Sequence, residues 1–317
     1  MRGVFLDLGT VSNGDLDTRR LEQVLPGLVI HEATPQEQVA GRIAAAEVVL
    51  LNKCRVTREM MAANPQLKLI ALTATGVDNV DVAAAREAGV AVANLRDYCT
   101  PSVVQHVFAV LLSLTHHLPE YDRFAKGGEW GRSDRFSVFP FPIRELAGRA
   151  LGIVGYGALG RGVARVAEAF GMQVLVANRP GATPSPGRLN LHELLPRVDV
   201  LSLHCPLTPA THGLIGAREL ALMKPDAVLI NTARGALVDA AALATALRAH
   251  RLGGAGIDVL EQEPPADGNP LLAPGIPNLI VTPHTAWAAR ESRQRCLDEL
   301  AANVAAFLRG ERRNRVD

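Results

Sequence analysis

The sequence predicts an α/β protein with two domains, each a parallel sheet covered by helices. Short apolar runs alternate with longer segments of helical periodicity, which is the pattern of βα units. The chain has 317 residues, more than one ordinary domain needs. Its 48% hydrophobic and 21% charged residues are typical of a globular protein and argue against long disordered segments.

The first series of elements forms one compact α/β unit. Short apolar runs and helical patterns follow one another without a long break. The predicted strands are Val4–Leu8, Leu28–Ile30, Val48–Leu51, Leu67–Leu72 and Val90–Ala93, and the predicted helices are Leu16–Leu25, Glu37–Ala45, Thr57–Ala63 and Val80–Ala88.

A helix and an aromatic loop connect the two series. The helix is predicted over Pro101–Leu118, with its proline in the first turn. The loop that follows, residues 126–144, contains apolar side chains that are unusual in a solvated loop: Trp130, Phe136, Phe139 and Phe141. Such an apolar patch suggests a partner surface. The alternative is that the loop packs on its own subunit.

A second alternating series begins at Leu151. The predicted strands are Leu151–Val154, Gln173–Ala177, Val198–Leu203, Ala227–Ile230, Ala255–Val259 and Leu279–Val281. The predicted helices are Leu159–Phe170, Ala240–Ala249 and a final amphipathic helix over Ala288–Leu308, which Gly310 ends.

Charge and cysteine usage exclude several classes of function. The 33 Lys+Arg residues are balanced by 32 Asp+Glu, and aromatics are only 4%, so no nucleic-acid partner is expected. The cysteines (Cys54, Cys99, Cys205 and Cys296) have no C-x-x-C spacing, so we expect reduced thiols and no metal site. Asp7 comes too early for a signal peptide, and the most apolar stretch, Val103 to Leu118, contains polar residues. We therefore expect a cytoplasmic protein without a membrane partner.

A glycine-rich turn, Gly155-Tyr156-Gly157-Ala158-Leu159-Gly160, lies between a predicted strand and a predicted helix. This context is the one that a dinucleotide site requires. The first glycine allows the tight turn, the second lets a pyrophosphate approach the backbone, and the third lets helix and strand pack closely. The helix N-terminus, with Ala158 and Leu159, supplies N–H groups for the phosphates. The alternative is a tight turn without a ligand.

The end of the next strand bears on the choice between NAD and NADP. An NAD site usually has an acidic residue there that binds the ribose 2′-hydroxyl. This chain has Asn178 followed by Arg179. Because Arg179 can pair with a 2′-phosphate, the sequence favours NADP(H), with NAD(H) use also possible. The alternative is that Arg179 points to solvent and NAD binds through Asn178.

Three polar residues follow the ends of successive later strands: Arg234, Glu263 and His284. Doubly wound sheets bind ligands at those carboxyl ends, so the three can converge. Arginine can bind an α-keto carboxylate in a fork, histidine can protonate a developing alkoxide, and a neighbouring glutamate can orient the imidazole. The pattern therefore predicts hydride delivery to a 2-keto acid. Taken singly, each residue also fits a structural role.

At these residues the chain resembles the D-isomer-specific 2-hydroxyacid dehydrogenase family over nearly its full length. Besides the glycine turn, the segments that carry the resemblance are Ala74–Asp81, Ser202–Thr208, Asn231–Gly235, Asp258–Pro264 and Thr282–Trp287. The resemblance implies that Arg234 binds the substrate carboxylate, His284 is the acid/base and Glu263 supports it. It also implies that the backbone amides of Gly76 and Val77 bind that carboxylate.

The resemblance also implies the cofactor contacts and the layout. Besides the glycine turn, Asn178 and Arg179, the expected cofactor residues are Thr75, Cys205, Pro206, Thr211, Thr232, Ala233, Arg234, Asp258, His284 and Ala286. A flavodoxin-like substrate domain is expected over residues 1–98 plus 288–317, and a doubly wound NAD(P)-binding Rossmann domain over 99–287, with the active-site cleft between them. The loop near 126–144 would carry the contacts of a homodimer.

Two further segments bear on the choice of substrate. Asn52-Lys53 and Tyr98–His106 resemble the hydroxypyruvate reductase (glycerate dehydrogenase) branch, and a cationic Lys53 suits a small polar acid. The expected reaction is therefore reduction of hydroxypyruvate or glyoxylate to D-glycerate or glycolate. The alternatives are an ordinary solvated Lys53, a reductase of a pyruvate-like or apolar 2-keto acid, and a dinucleotide-sensing scaffold without turnover.

Overall fold

The fold divides the chain into two compact units. The structure, a computed structural model, describes residues 1–179, 183 and 185–317. One unit comprises Met1–Cys99 and Trp287–Asp317, and the other comprises Thr100–Ala286. These junctions differ by one residue from the boundaries that the sequence predicts.

The first unit is built on a five-stranded parallel sheet in the order β2-β1-β3-β4-β5. Its strands are β1 Gly3–Phe5, β2 Val29–Ile30, β3 Val48–Leu51, β4 Leu69–Leu72 and β5 Ala91–Ala93, and its first helices are α1 Arg19–Val24, α2 Gln36–Ile43, α3 Arg58–Ala62 and α4 Val82–Glu87. Every residue of β3 and β4 is buried, as a sheet covered on both faces requires. The strand order confirms the predicted flavodoxin-like fold and has a reversal between β1 and β3, where such folds bind ligands.

The second unit contains a six-stranded parallel sheet in the order β11-β10-β9-β8-β6-β7. Its helices are α5 Thr100–His116, α6 Leu118–Lys126, α7 Ala158–Ala169, α8 Leu191–Leu194, α9 Ala217–Leu222 and α10 Ala240–Arg248, and its strands are β6 Ala150–Val154, β7 Gln173–Val176, β8 Val200–Leu203, β9 Val228–Asn231, β10 Gly254–Ile257 and β11 Leu279–Val281. A parallel bridge between Ala177 and Leu189 extends the sheet outside β7. The order reverses between β6 and β8, which confirms the predicted doubly wound sheet.

Helix α5 packs against the sheet of the second unit. Gly256 in β10 makes the approach possible, because a Cβ there would lie 2.2 Å from Val110 Cγ1 of the helix. The predicted single helix to Leu118 is wrong at its end: His117 has a left-handed φ of 51°, and α6 begins after it. Pro119, which is disfavoured inside a helix, instead occupies the first turn of α6. Within the described part of the chain, no helix is both long and apolar enough to cross a membrane.

The last helix, α11 Arg290–Leu308, belongs to the first unit. Its buried residues Cys296, Leu300 and Val304 pack into the same core as β3 and β4. The Asn303 side chain donates a 2.8 Å hydrogen bond to the backbone carbonyl of Asn94, just after β5. The final helix thus completes the unit formed by the first 99 residues.

Candidate active site

The glycine turn after β6 shows a different constraint at each glycine. Gly155 has a φ of 97°, and a Cβ there would lie 2.5 Å from the backbone of His204 and of Cys205. At Gly160 a Cβ would lie 2.2 Å from the Gly155 carbonyl oxygen. At Gly157 a Cβ would meet no described atom within 4 Å. Packing therefore requires glycine at positions 155 and 160. At Gly157 the lack of a side chain leaves the backbone surface of the turn bare.

This bare surface fits the pyrophosphate of a dinucleotide. Gly157 is the N-cap of α7, so Ala158 and Leu159 start a helix whose first N–H groups have no intrahelical acceptor. Two buried polar atoms on neighbouring strand ends, His204 Nδ1 and Thr232 Oγ1, have no hydrogen-bond partner among the described residues. Because an unpartnered buried polar atom is unfavourable, a polar ligand at this edge of the sheet would suit both.

The loop after β8 is organised by one buried threonine. Thr211 Oγ1 donates a 2.7 Å hydrogen bond to the Pro206 carbonyl and accepts one of 2.7 Å from the Thr208 amide. Burial raises the pKa of the Cys205 thiol to about 11, so that side chain is neutral and unreactive at neutral pH. Burial also lowers the pKa of His204 to about 4. Of the predicted cofactor residues, Cys205 thus borders the glycine turn without adding charge, and Thr211 holds the loop at Pro206.

The end of β7 places basic groups near the same turn. Both polar atoms of the Asn178 side chain are engaged, since Oδ1 accepts from the Ser185 amide at 2.9 Å and Nδ2 donates to Asn190 Oδ1 at 3.2 Å. Arg179 follows as an exposed residue. The Arg188 guanidinium lies 5.9 Å from the centre of the Tyr156 ring, a cation–π contact that the sequence did not reveal. Because Tyr156 lies within the glycine turn, Arg188 is beside the candidate phosphate site.

Arg234 lies in the turn that follows β9, and this turn contacts the loop that follows β10. The Asn231 side chain accepts from the Ala233 amide at 3.0 Å and donates to the Arg234 carbonyl at 2.9 Å. The half-buried Arg234 side chain donates through Nη1 to the Ala233 carbonyl at 2.8 Å. Gly235 then lies against Leu260, where any side chain would overlap the backbone. The Arg234 turn is therefore held against the loop that carries Glu263.

Glu263 joins this loop to His284. Its Oε1 accepts from the Leu260 amide at 2.7 Å, and its Oε2 lies 2.6 Å from His284 Nδ1. The two side chains are 31% and 29% exposed, so the pair is accessible from solvent rather than buried. The carboxylate accepts, so Nδ1 carries a proton and Glu263 fixes the ring orientation. The structure thus makes the pair that the sequence predicts.

His284 has an unusual backbone that a buried carboxylate supports. Its φ is 56°, in the left-handed region that non-glycine residues seldom adopt. Its amide donates to the Asp258 carbonyl at 2.8 Å. The Asp258 carboxylate accepts from the amides of Thr285 and Ala286, each at 2.9 Å. Asp258, one of the expected cofactor residues, therefore also shapes the loop of His284.

The first-unit candidates lie at the carboxyl end of β4 in their own sheet. Thr75 is held through its carbonyl, which accepts a 2.7 Å hydrogen bond from the Asn94 side chain. Gly76 and Val77 follow in the same turn. Asn79 Nδ2 donates to the carbonyls of Asn52 at 3.1 Å and of Cys54 at 2.8 Å, which ties this turn to the loop after β3. Sequence reasoning missed Asn79, which lies inside the quoted Ala74–Asp81 segment.

Comparisons with known proteins show which family the chain resembles. The model of the D-isomer specific 2-hydroxyacid dehydrogenase NAD binding domain matches residues 108–286. The chain is 46% identical to glycerate dehydrogenase of Methylorubrum extorquens, over 90% of this chain and 89% of that protein. It is 37% identical to hydroxypyruvate reductase of Blautia hydrogenotrophica, over 98% of each chain.

A solved structure shows the same likeness. The chain superposes on the NADPH-dependent glyoxylate/hydroxypyruvate reductase of Sinorhizobium meliloti, in complex with NADP and malonate, with a TM-score of 0.81 and 31% identity, over 99% of this chain and 96% of that one. These matches confirm the resemblance that the motifs indicate, and the second unit contains an NAD(P)-binding domain. The chain belongs to the D-isomer specific 2-hydroxyacid dehydrogenase family of oxidoreductases.

Proposed function

We propose that this protein reduces hydroxypyruvate or glyoxylate with NADPH, giving D-glycerate or glycolate. The observation that carries the proposal is the 2.6 Å contact between His284 Nδ1 and Glu263 Oε2. Glu263 lies in a loop that packs against Gly235, next to Arg234. The relatives named glycerate dehydrogenase and hydroxypyruvate reductase support the choice of substrate.

Each residue has a role that its chemistry allows. Arg234 binds the carboxylate of the keto acid through its planar guanidinium. When bound, the nicotinamide cofactor supplies a hydride to C2 of the substrate. His284 gives the proton on Nε2 to the ketone oxygen, and Glu263 stabilises the imidazolium beforehand. Within the first unit, the backbone amides of Gly76 and Val77 stay a prediction of the resemblance, as donors to a substrate carboxylate.

A preference for NADP(H) follows from the charges at the end of β7. Residue 178 is asparagine, which carries no negative charge to repel a 2′-phosphate, and the exposed Arg179 follows directly. Arg188 adds a second guanidinium, oriented by its contact with Tyr156. Replacing Arg179 or Arg188 by Ala should therefore weaken NADPH binding more than NADH binding. Equal effects on both cofactors would contradict a 2′-phosphate role.

Lys53 is proposed to favour a small polar acid. Its loop is held rigidly, because the buried Asp7 carboxylate accepts from the amides of Asn52 at 2.8 Å, Lys53 at 2.6 Å and Cys54 at 3.0 Å. Lys53 itself is exposed at the carboxyl end of β3. Lys53→Leu should lower kcat/KM for hydroxypyruvate relative to phenylpyruvate. An unchanged ratio would leave Lys53 as an ordinary solvated lysine.

A homodimer is proposed through the loop at 126–144. Phe136 is 93% exposed and Phe139 is 81% exposed, whereas Phe141 packs on α6 against Tyr121. The loop thus packs Phe141 on its own subunit and exposes its other three aromatic residues, since Trp130 is also 50% exposed. Light scattering should give a dimer for the wild-type protein and a monomer for Phe136→Ser/Phe139→Ser. A monomeric wild-type protein would contradict the proposal.

The decisive experiment is absorbance at the nicotinamide band with hydroxypyruvate, glyoxylate, pyruvate and phenylpyruvate, each with NADH and NADPH. Rapid loss of NADPH with either of the first two acids is the expected result. Arg234→Ala should abolish it while circular dichroism stays unchanged. Turnover with apolar acids alone would refute the substrate assignment. Absence of turnover together with tight NADPH binding would favour a dinucleotide-sensing scaffold.

A further inference from the structure

A second histidine reaches the loop of His284 from helix α5. His106 Nε2 lies 3.1 Å from the hydroxyl of Thr282, two residues before His284. The same nitrogen lies 3.7 Å from Asp258 Oδ1. Only 19% of the His106 side chain is exposed, and 1% of Asp258. Both residues lie within segments that carry the resemblance, but none of the roles proposed above uses the side chain of His106 or of Thr282.

The hydrogen bonds of Thr282 determine where the protons lie. Its hydroxyl is 2.5 Å from Asp258 Oδ1, a distance typical of a hydroxyl that donates to an ionised carboxylate. A hydroxyl has one proton, so the Thr282 oxygen must accept from its other neighbour. His106 Nε2 must therefore carry a proton and donate it to Thr282.

The same carboxylate supports the His284 loop. Asp258 Oδ1 accepts from Thr282 and from the Thr285 amide, and Oδ2 accepts from the Ala286 amide. The Asp258 backbone carbonyl accepts from the His284 amide. The orientation of this one residue thus sets the backbone on both sides of His284, whose φ of 56° needs such support.

We propose that His106 is a positioning residue for the reaction. Its Nε2–H orients the Thr282 hydroxyl toward Asp258, and this fixes the His284 loop on which proton transfer depends. The proposal rests on the proposed function, since it requires His284 to be the proton donor. Small displacements of a reacting group lower the rate strongly, so the effect should fall on kcat rather than on substrate binding.

Two pairs of variants test the proposal. Gln places a side-chain N–H where His Nε2 lies, whereas Asn is one bond too short, so His106→Gln should keep the contact and His106→Asn should lose it. Thr282→Ser keeps a hydroxyl, and Thr282→Val does not. We expect His106→Asn and Thr282→Val to lower kcat about tenfold with KM within twofold, and the Gln and Ser variants to restore kcat to within about threefold. His116→Asn, on the same helix, is the control.

A spectroscopic measurement tests the proton assignment without turnover. In the ¹⁵N-histidine NMR spectrum, the wild-type signal that is absent from His106→Gln belongs to His106. Its nitrogen shifts should be those of an imidazole protonated at Nε2. An Nδ1–H tautomer, an unchanged kcat in His106→Asn, or a kcat in His106→Gln as low as in His106→Asn would each overturn the proposal. If a variant fails to fold, the wild-type spectrum and the other pair still decide.

His284→Asn separates this proposal from the function on which it rests. If His284→Asn keeps normal turnover, the proposed function itself fails. If His284→Asn is inactive while His106→Asn behaves like the wild-type protein, only the positioning role of His106 fails.

Discussion

Gly235 lies so close to Leu260 that a Cβ on the glycine would be 1.9 Å from the leucine carbonyl carbon. The neighbouring backbone atoms, Leu260 O and Glu261 N, would be 2.2 and 2.3 Å away. These are main-chain atoms and cannot move aside as a flexible side chain can. The contact therefore sets the separation between the Arg234 turn and the Glu263 loop.

Gly235→Ala should lower kcat/KM at least tenfold, because the Glu263 loop must shift to make room for the methyl group and a displaced catalytic group loses rate. Steady-state kinetics and thermal unfolding would measure the two effects. Gly216→Ala is the control, since a Cβ there would meet Glu219 Oε2 at an ordinary 3.5 Å. Equal activity of the two variants would show that the close contact does not position Glu263.

The glycine turn allows stability to be separated from cofactor binding. Gly155→Ala should destabilise the protein by more than about 2 kcal/mol, because the positive φ and the overlap with His204 and Cys205 both oppose a side chain. Gly157→Ala should change the free energy of unfolding by less than about 1 kcal/mol, since the methyl group has open space.

Cofactor affinity should depend on Gly157, the glycine that contributes less to stability. Gly157→Ala should weaken NADPH binding about tenfold or more, a loss of about 1.4 kcal/mol, because the methyl group occupies the surface that the pyrophosphate approaches. Fluorescence titration and denaturant unfolding provide the two measurements. A folded Gly157→Ala protein with wild-type affinity would contradict the phosphate role of this turn.

Glu263→Gln should lower kcat/KM about 100-fold, the order expected when acid–base catalysis is impaired. Glu263 accepts from the Leu260 amide through one oxygen and from His284 Nδ1 through the other, whereas glutamine has one acceptor oxygen and no negative charge, so it cannot keep both hydrogen bonds or stabilise the imidazolium. NADPH affinity, measured by fluorescence, should stay unchanged. Glu261→Gln, two residues away and exposed, should behave like the wild-type protein, and a similar loss there would indicate a general effect on the loop.

Stability should fall at acidic pH because of His204. Burial lowers its pKa from 6.5 to about 4 in the folded protein. Between these values the unfolded chain binds the proton more tightly, so folded stability decreases as pH falls from 6.5 to about 4. The shift corresponds to at most about 3 kcal/mol.

His204→Gln isolates this contribution. Glutamine can keep the contact between the side-chain nitrogen and Ser202 Oγ, which is 2.8 Å long in the native protein, but it does not titrate. Denaturant unfolding at pH 7 and pH 4 should therefore show a smaller loss of stability for the variant. The same loss in both proteins would mean that other groups cause the acid sensitivity.

Local patterns predicted most of the strands and the phosphate turn. A buried parallel strand such as Val48–Leu51 is a short continuous run of apolar residues, and such a run can be recognised in the sequence. The break at His117 was missed because a left-handed histidine leaves no pattern in a helical segment. The short helices α8 and α9 were not predicted.

Sequence patterns were sufficient for the α/β class, the order of the strands and the residue types of the candidate site. Strand ends converge in any doubly wound sheet, so the positions of Arg234, Glu263 and His284 after successive predicted strands were enough to group them. Two side-chain contacts became visible in the folded structure and not in the sequence: Arg188 on Tyr156, and His106 on Thr282. His106 and Thr282 are 176 positions apart, and no local period encodes a contact made by packing a helix on a distant strand end.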